Sequence, residues 1–207
     1  MLVGQSWLGV QTFHALREAV HDIASVCAPP GDRLHRAAVD AGVPVADAGR
    51  VLHAASVPPG VELIVCAHAH AFITQGARDR ARHGAIGYHP SLLPRHRGRD
   101  AIRWTLHMRD QVAGGTVYWM TDRADAGPIA AQEWCWVRPD DTPMELWRRE
   151  LGPMGLRLLA AVVGDVAAGR IIKVDQDEAA ATWEPAFDRP ALEKSTTPTS
   201  MTQQSPI

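Results

Sequence analysis

The chain has 207 residues, 46% of them hydrophobic and 21% charged, with a formal charge of −2, enough apolar material for the core of one ordinary α/β domain. A pI near 6.5 leaves no basic excess to argue for a nucleic-acid partner, and no apolar run approaches the roughly 20 residues that a membrane span needs. The three cysteines, Cys27, Cys66 and Cys135, lack metal-ligand spacing and are odd in number; this argues against a disulfide framework and fits buried thiols in a cytoplasmic protein without a signal peptide.

Short apolar runs alternate with helical periodicity, which predicts a Rossmann-like, mostly parallel twisted α/β sheet flanked by helices. Strands are expected at 1–3, 22–28, 43–46, 61–67, 85–88, 115–120 and 130–137, with helices at 11–20, 32–41, 74–82, 99–109 and 142–168. The last helix should be interrupted near Gly152 and Pro153. The first strand is brief, as if the chain began late in it. One catalytic domain is expected over 1–190, and the Ser-, Thr-, Pro- and Gln-rich stretch 195–207 reads as a disordered tail. Gly4 to Gly9 follows a strand and opens a helix, but Ser6 stands where a dinucleotide fingerprint needs its second glycine. A tight strand-to-helix turn is the expected role.

His89 ends the apolar run from Gly84 to Tyr88, and Pro90 and Pro94 forbid the strand from continuing. It therefore lies at a carboxyl strand end, the edge where open α/β sheets bind ligands; the plainer alternative is a core histidine bonded to a nearby carbonyl. A second loop, from Asp122 through Asp125 to Gly127, separates two later strand-like runs. A carboxylate beside an imidazole stabilises the protonated ring and orients it, as general acid-base chemistry requires, whereas alone Asp125 would read as a turn residue capping its own backbone. His68 and His70, at the end of the central strand, point at i and i+2 to one strand face and could line the ligand cleft, contact an acceptor or hold a metal. Arg95, Arg97, Arg99 and Arg103 read mainly as a solvated loop and helix start. The tryptophans at 104, 119, 134, 136, 147 and 183 read as core or interface anchors.

The run Tyr88-His89-Pro90-Ser91-Leu92-Leu93-Pro94-Arg95-His96-Arg97-Gly98, followed by Asp125-Ala126-Gly127, resembles the formyltransferase family that uses 10-formyltetrahydrofolate. Together with Ala101 to Leu106, Gly4 to Gly9 and Pro139 to Thr142, it is most similar to the hydrolase domain of 10-formyltetrahydrofolate dehydrogenase, over roughly residues 1–170. The resemblance implies a formyltransferase fold, His89 and Asp125 as the catalytic pair, and Gly87, Ser91, Leu92, Leu93, Arg97, Gly98, His68, His70 and Asp122 as contacts to folate or substrate. Arg97 could meet the folate tail or anchor its loop by ion pairing. It also implies 10-formyltetrahydrofolate as cosubstrate, with no metal or nicotinamide, a small-molecule acceptor, and a possible homodimer. Transfer to a small amine is the leading reaction; hydrolysis to formate and a catalytically weak folate-binding role are the alternatives. Most members carry Asn where this chain has Gly87, so a donor to the formyl oxygen is lost. Backbone N–H groups of the Ser91–Leu93 turn, or a protonated His89, could replace it.

Overall fold

The computed structural model describes residues 1–47 and 49–187; the expected tail, and the end of the expected domain beyond 187, lie outside them. A seven-stranded sheet holds β1 (Leu2–Gly4), β2 (Val26–Cys27), β3 (Val45–Ala46), β5 (Ile64–Ala67), β7 (Ala85–His89), β8 (Val112–Trp119) and β9 (Ile129–Trp136). Their order is β3-β2-β1-β5-β7-β8-β9, parallel as far as β7 and antiparallel across β7, β8 and β9. This is the expected Rossmann-like sheet with an antiparallel end. A separate parallel pair, β4 (Val51–Leu52) with β6 (Phe72–Ile73), was not foreseen.

The helices are α1 (Ser6–Glu18), α2 (Arg33–Asp40), α3 (Gln75–Arg80), α4 (Ala101–His107), α5 (Pro143–Leu146) and α6 (Gly152–Ala167). The expected 11–20 helix begins five residues earlier, immediately after β1. Ser6 takes a left-handed φ of +57°, and its N–H donates to both carboxylate oxygens of Asp32, at 3.0 and 3.1 Å. Asp32 also caps α2 through Leu34 N–H at 2.8 Å, so one carboxylate fixes the start of two helices. Gly4 is required here, because a Cβ would run into the Ala67 carbonyl. The expected 22–28 strand shrinks to Val26–Cys27, since its neighbours β1 and β3 pair with it at those two positions alone. Between α5 and α6 the chain widens into a π turn at Trp147–Leu151. Pro153 supplies no N–H to the preceding turn and its ring crowds the carbonyl four residues back, which opens the helix at the place where an interruption was expected.

Alternation along the strands divides the core between the two sheet faces. Leu2, Val65, Ile86 and Val117 pack with Phe13, Leu146, Met154 and Leu159 on one side; Val3, Cys66 and Ala85 pack with Leu52, Ile73 and Ala77 on the other. All three cysteines are buried and free, and burial pushes the Cys66 thiol up to about 12, so it stays protonated and unreactive. Of the tryptophans, Trp119 is buried, whereas Trp134, Trp136 and Trp183 are exposed. Among the described residues no helix is long and apolar enough to cross a membrane.

Tyr88 locks the helical layer to the end of the sheet. Its hydroxyl donates to the Leu151 carbonyl at 2.6 Å, and its ring lies against the bare backbones of Gly115 and Gly155. A Cβ at position 155 would stand 2.6 Å from Tyr88 Cε1, so Gly155→Ala should destabilise the protein by about 1–3 kcal/mol through overpacking. The expected reading is a lower urea midpoint at unchanged m; an unmoved midpoint would show that the layer gives way freely.

Candidate active site

Pro90 ends β7 at His89, and the register then sets the site. Gly87 lies opposite Tyr118 and His89 opposite Thr116, so these four residues share one face of the sheet while Tyr88 points to the other. His89 is 6% exposed, and its Nε2 lies 2.7 Å from the carbonyl oxygen of His96. A carbonyl only accepts, so Nε2 carries the hydrogen and donates it. The neutral ring therefore keeps its lone pair on Nδ1, which faces Asp125 Oδ1 at 3.7 Å. Both expectations for His89 hold at once, one nitrogen bonding a carbonyl and the other meeting the carboxylate.

Asp125 is held in a left-handed conformation, φ +52°, and does not cap its own turn. Its Oδ2 accepts from Gly98 N–H at 2.9 Å and its Oδ1 from the Tyr118 hydroxyl at 2.8 Å. Burial and the adjacent carboxylate push the Tyr118 phenol well above its ordinary value of 10, so it remains a donor to Asp125. Sequence reasoning missed Tyr118; strand alternation, with Tyr118 opposite Gly87, was the signal that could have found it. Gly98, at φ +109°, turns its N–H toward Asp125 in a conformation that only glycine adopts easily.

The 90s loop is bonded both to itself and to β8. Ser91 N–H donates to the His89 carbonyl at 2.9 Å, Ser91 Oγ to the Arg95 carbonyl at 2.6 Å, and Leu93 N–H to Thr116 Oγ1 at 3.1 Å. The Ser91 and Leu93 amides are thus already bonded, which takes two of the turn's three N–H groups from the formyl-oxygen donors that the sequence had allowed. Leu92 lies over Gly114 of β8. Arg97, 5% exposed, takes the second of its two expected roles: it donates to Gln176 Oε1 at 2.7 and 3.1 Å and to Glu178 at 2.8 and 3.2 Å. Gln176 in turn donates to the carbonyls of Asp125 and Gly127, at 2.9 and 2.7 Å. The segment from Val174 to Phe187 is therefore a strap joining the two loops that carry His89 and Asp125, and of its residues the sequence singled out Trp183 alone, as a core or interface anchor.

Two sets of expected site residues stand apart from this pair. Asp122 is bound by the largely buried Arg78 guanidinium at 2.5 Å, which holds the start of its loop. His68 and His70 do not share a strand face, because β5 ends at Ala67 and His68 has φ +58°. Their rings lie 5.2 Å apart, with Trp147 6.3 Å from His68, and burial together with the His70 ring pushes the His68 imidazole down. No group of three or more metal-ligating side chains occurs among the described residues. β5 runs parallel beside β7, so both histidines follow a strand end on the edge that carries His89. A Cβ at Gly87 would meet Met120 Sδ and Tyr118 Cε1 at 3.5 Å, an ordinary contact. A cavity of about 290 Å³ lined by Leu92, His96, Thr105, Asp110 and Gly114 opens behind the loop; neither His89 nor Asp125 lines it.

Residues 46–161 match the formyl transferase family. Human mitochondrial 10-formyltetrahydrofolate dehydrogenase is 37% identical over 197 residues, covering 88% of this chain and 21% of that protein, so the chain spans about a fifth of the length of such relatives. Glycinamide ribonucleotide transformylase 1 from Symbiobacterium toebii superposes with a TM-score of 0.70 at 25% identity, over 84% of this chain and 92% of that one. An N-formyltransferase from Helicobacter canadensis, solved with folinic acid and dTDP-3-aminofucose, gives a TM-score of 0.73 at 13% identity, over 88% and 69% of the two chains, a likeness of fold.

The strap carries a measurable charge signature. Hydrogen bonds from Arg97 and Arg123 hold the Glu178 carboxyl at about 2, below its ordinary 4.5. A carboxyl depressed on folding stabilises fully above its ordinary value and loses that contribution as pH falls through its folded value. Glu178→Gln should therefore lower the thermal midpoint at neutral pH, and the gap from the parent protein should close between pH 4.5 and about 2. A gap independent of pH would mean that the ion pairs contribute nothing.

Proposed function

The chain belongs to the formyl transferase family, and from that premise we propose that it takes the formyl group from 10-formyltetrahydrofolate and passes it to a small amine, with His89 and Asp125 moving the protons. The observation that carries this reading is the division of labour on one ring: Nε2 is committed to the His96 carbonyl and Nδ1 is left facing Asp125. As the amine nitrogen attacks the formyl carbon, His89 Nδ1 takes the proton that the nitrogen loses. The negative charge of Asp125 steadies the imidazolium so formed, and Tyr118 and Gly98 hold that carboxylate still. The same Nδ1–H then protonates N10, the bond from N10 to the formyl carbon breaks, and tetrahydrofolate leaves with the formyl group on the amine.

In this reading Gly87 and Leu92 border the folate, and His68 and His70 stand nearest the acceptor. Ser91, Leu93, Arg97, Gly98 and Asp122 act through the loops that they hold. Water as the acceptor, giving formate, is a second reading, favoured by the identity to the dehydrogenase and by the absence of an amide donor at Gly87. The deciding experiment mixes the protein with 10-formyltetrahydrofolate, with and without candidate amines, and follows tetrahydrofolate, formate and formylated amine separately. Formation of none of the three would defeat both readings.

His89→Ala should abolish turnover while folate binding and the folding transition persist, and Asp125→Asn should slow turnover by about 100-fold or more. Turnover by a folded His89→Ala protein would sink the mechanism. Because a Cβ fits at position 87, Gly87→Asn should fold normally and bring an amide toward the formyl oxygen. Amine formylation should then accelerate by up to the order of 100-fold. Lost activity with intact folding would instead identify glycine as a requirement for space at the reacting centre.

A further inference from the structure

We propose that His96 is a positioning residue: Asp110 and Glu184 grip its ring from both sides, aiming its carbonyl at His89 and thereby fixing which nitrogen of His89 exchanges the proton. The inference rests on the reading of His89 as the proton carrier. His96 is 3% exposed and left-handed at φ +55°, a conformation that a bulky side chain keeps only when its surroundings impose it. They do so at every polar atom. Its N–H donates to Thr182 Oγ1 at 2.8 Å, its Nε2 meets Asp110 Oδ2 at 2.7 Å, its Nδ1 meets Glu184 Oε1 at 3.2 Å, and its carbonyl accepts from His89. Arg95, 3.5 Å from the same Asp110 oxygen, completes the charged surroundings.

Ionised carboxylates only accept, so both ring contacts are hydrogen bonds together only when both His96 nitrogens carry hydrogen. With the ring tied at two points and the amide at a third, the peptide plane has little freedom to turn its carbonyl away. That carbonyl sets the tautomer of His89: hydrogen on Nδ1 instead would leave two lone pairs opposed at Nε2 and remove the base from the side facing Asp125. Glu184 is kept at a cost, since its Oε2 is buried without a hydrogen-bond partner among the described residues. It lies in the strap, beyond residue 161, where the family match ends.

The test reads the His89 ring directly. In alkaline buffer without substrate, ¹⁵N spectra of the parent protein should show His89 with hydrogen on Nε2 and a bare Nδ1. His96→Asn keeps a residue that tolerates the left-handed backbone and removes the ring. It should give His89 a mixture of tautomers, and kcat for tetrahydrofolate release should fall by about 10- to 100-fold with KM within about threefold. Glu184→Gln, which keeps shape and one acceptor, should move both readings in the same direction by less, and it decides the matter if His96→Asn fails to fold. A His89 spectrum unchanged in the folded variants would overturn the proposal whatever the activity. A shifted tautomer in a protein that never consumes 10-formyltetrahydrofolate would uphold the positioning and refute the assigned reaction.

Discussion

The hydrogen bond from His89 Nε2 to the His96 carbonyl is only 2.7 Å long, yet it joins a rigid strand end to the one loop whose shape decides how the imidazole can work. Strand β7 fixes where the ring starts, because its backbone is paired on both sides, to β5 and to β8. A strand end cannot choose a tautomer. The carbonyl does that, since it can only accept, and the left-handed turn at His96 brings it within reach. The tautomer of His89 therefore depends on a left-handed loop conformation at His96.

Loops that carry chemistry usually gain precision from the scaffold beneath them, and here a second scaffold lies across them. Arg97 is buried under the strap, and Gln176 accepts from Arg97 while donating to the carbonyls at 125 and 127. The loops of His89 and Asp125 are thus bonded to the same side chain. Exposed ion pairs such as Arg123 with Glu178 contribute little singly. A buried guanidinium left without its acceptors would cost far more, so the strap and the loop hold together or separate together. Glu184 extends that coupling to the far side of His96.

His89 and Asp125 were legible because punctuation marks them: prolines stop β7, and a glycine-bearing loop divides β8 from β9. The sheet was legible because apolar runs alternate with helical ones. Gln176, Thr182 and Glu184 were not, because a polar residue that bonds a partner 51 to 88 positions away leaves no periodic trace; Tyr118, seven positions from Asp125, was missed although strand alternation sets it on the face of Gly87. His68 and His70 were given a common strand face from their i and i+2 spacing, whereas β5 ends at Ala67 and its pairing with β7 stops at Cys66. Strands β4 and β6, two residues each, fall below any pattern a sequence can show, and the π turn follows from Pro153 only once the flanking helices are known to be continuous.

Gly87 brings these constraints to bear on the chemistry. Glycines at 4, 114 and 127 are demanded by backbone or side chains that a Cβ would strike, whereas a Cβ at 87 meets nothing closer than 3.5 Å. Packing within the protein does not require this glycine. With the Ser91 and Leu93 amides already bonded, His89 itself, once Nδ1 has taken a proton, would be a donor to a developing oxyanion in the proposed transfer. In the proposed transfer one nitrogen would serve in sequence as base, as the cation beside the oxyanion, and as acid to N10. That sequence of roles would work only while the opposite nitrogen stays tied to the His96 carbonyl, so the proposed chemistry would reach back through His96 to Glu184, a carboxylate in the strap.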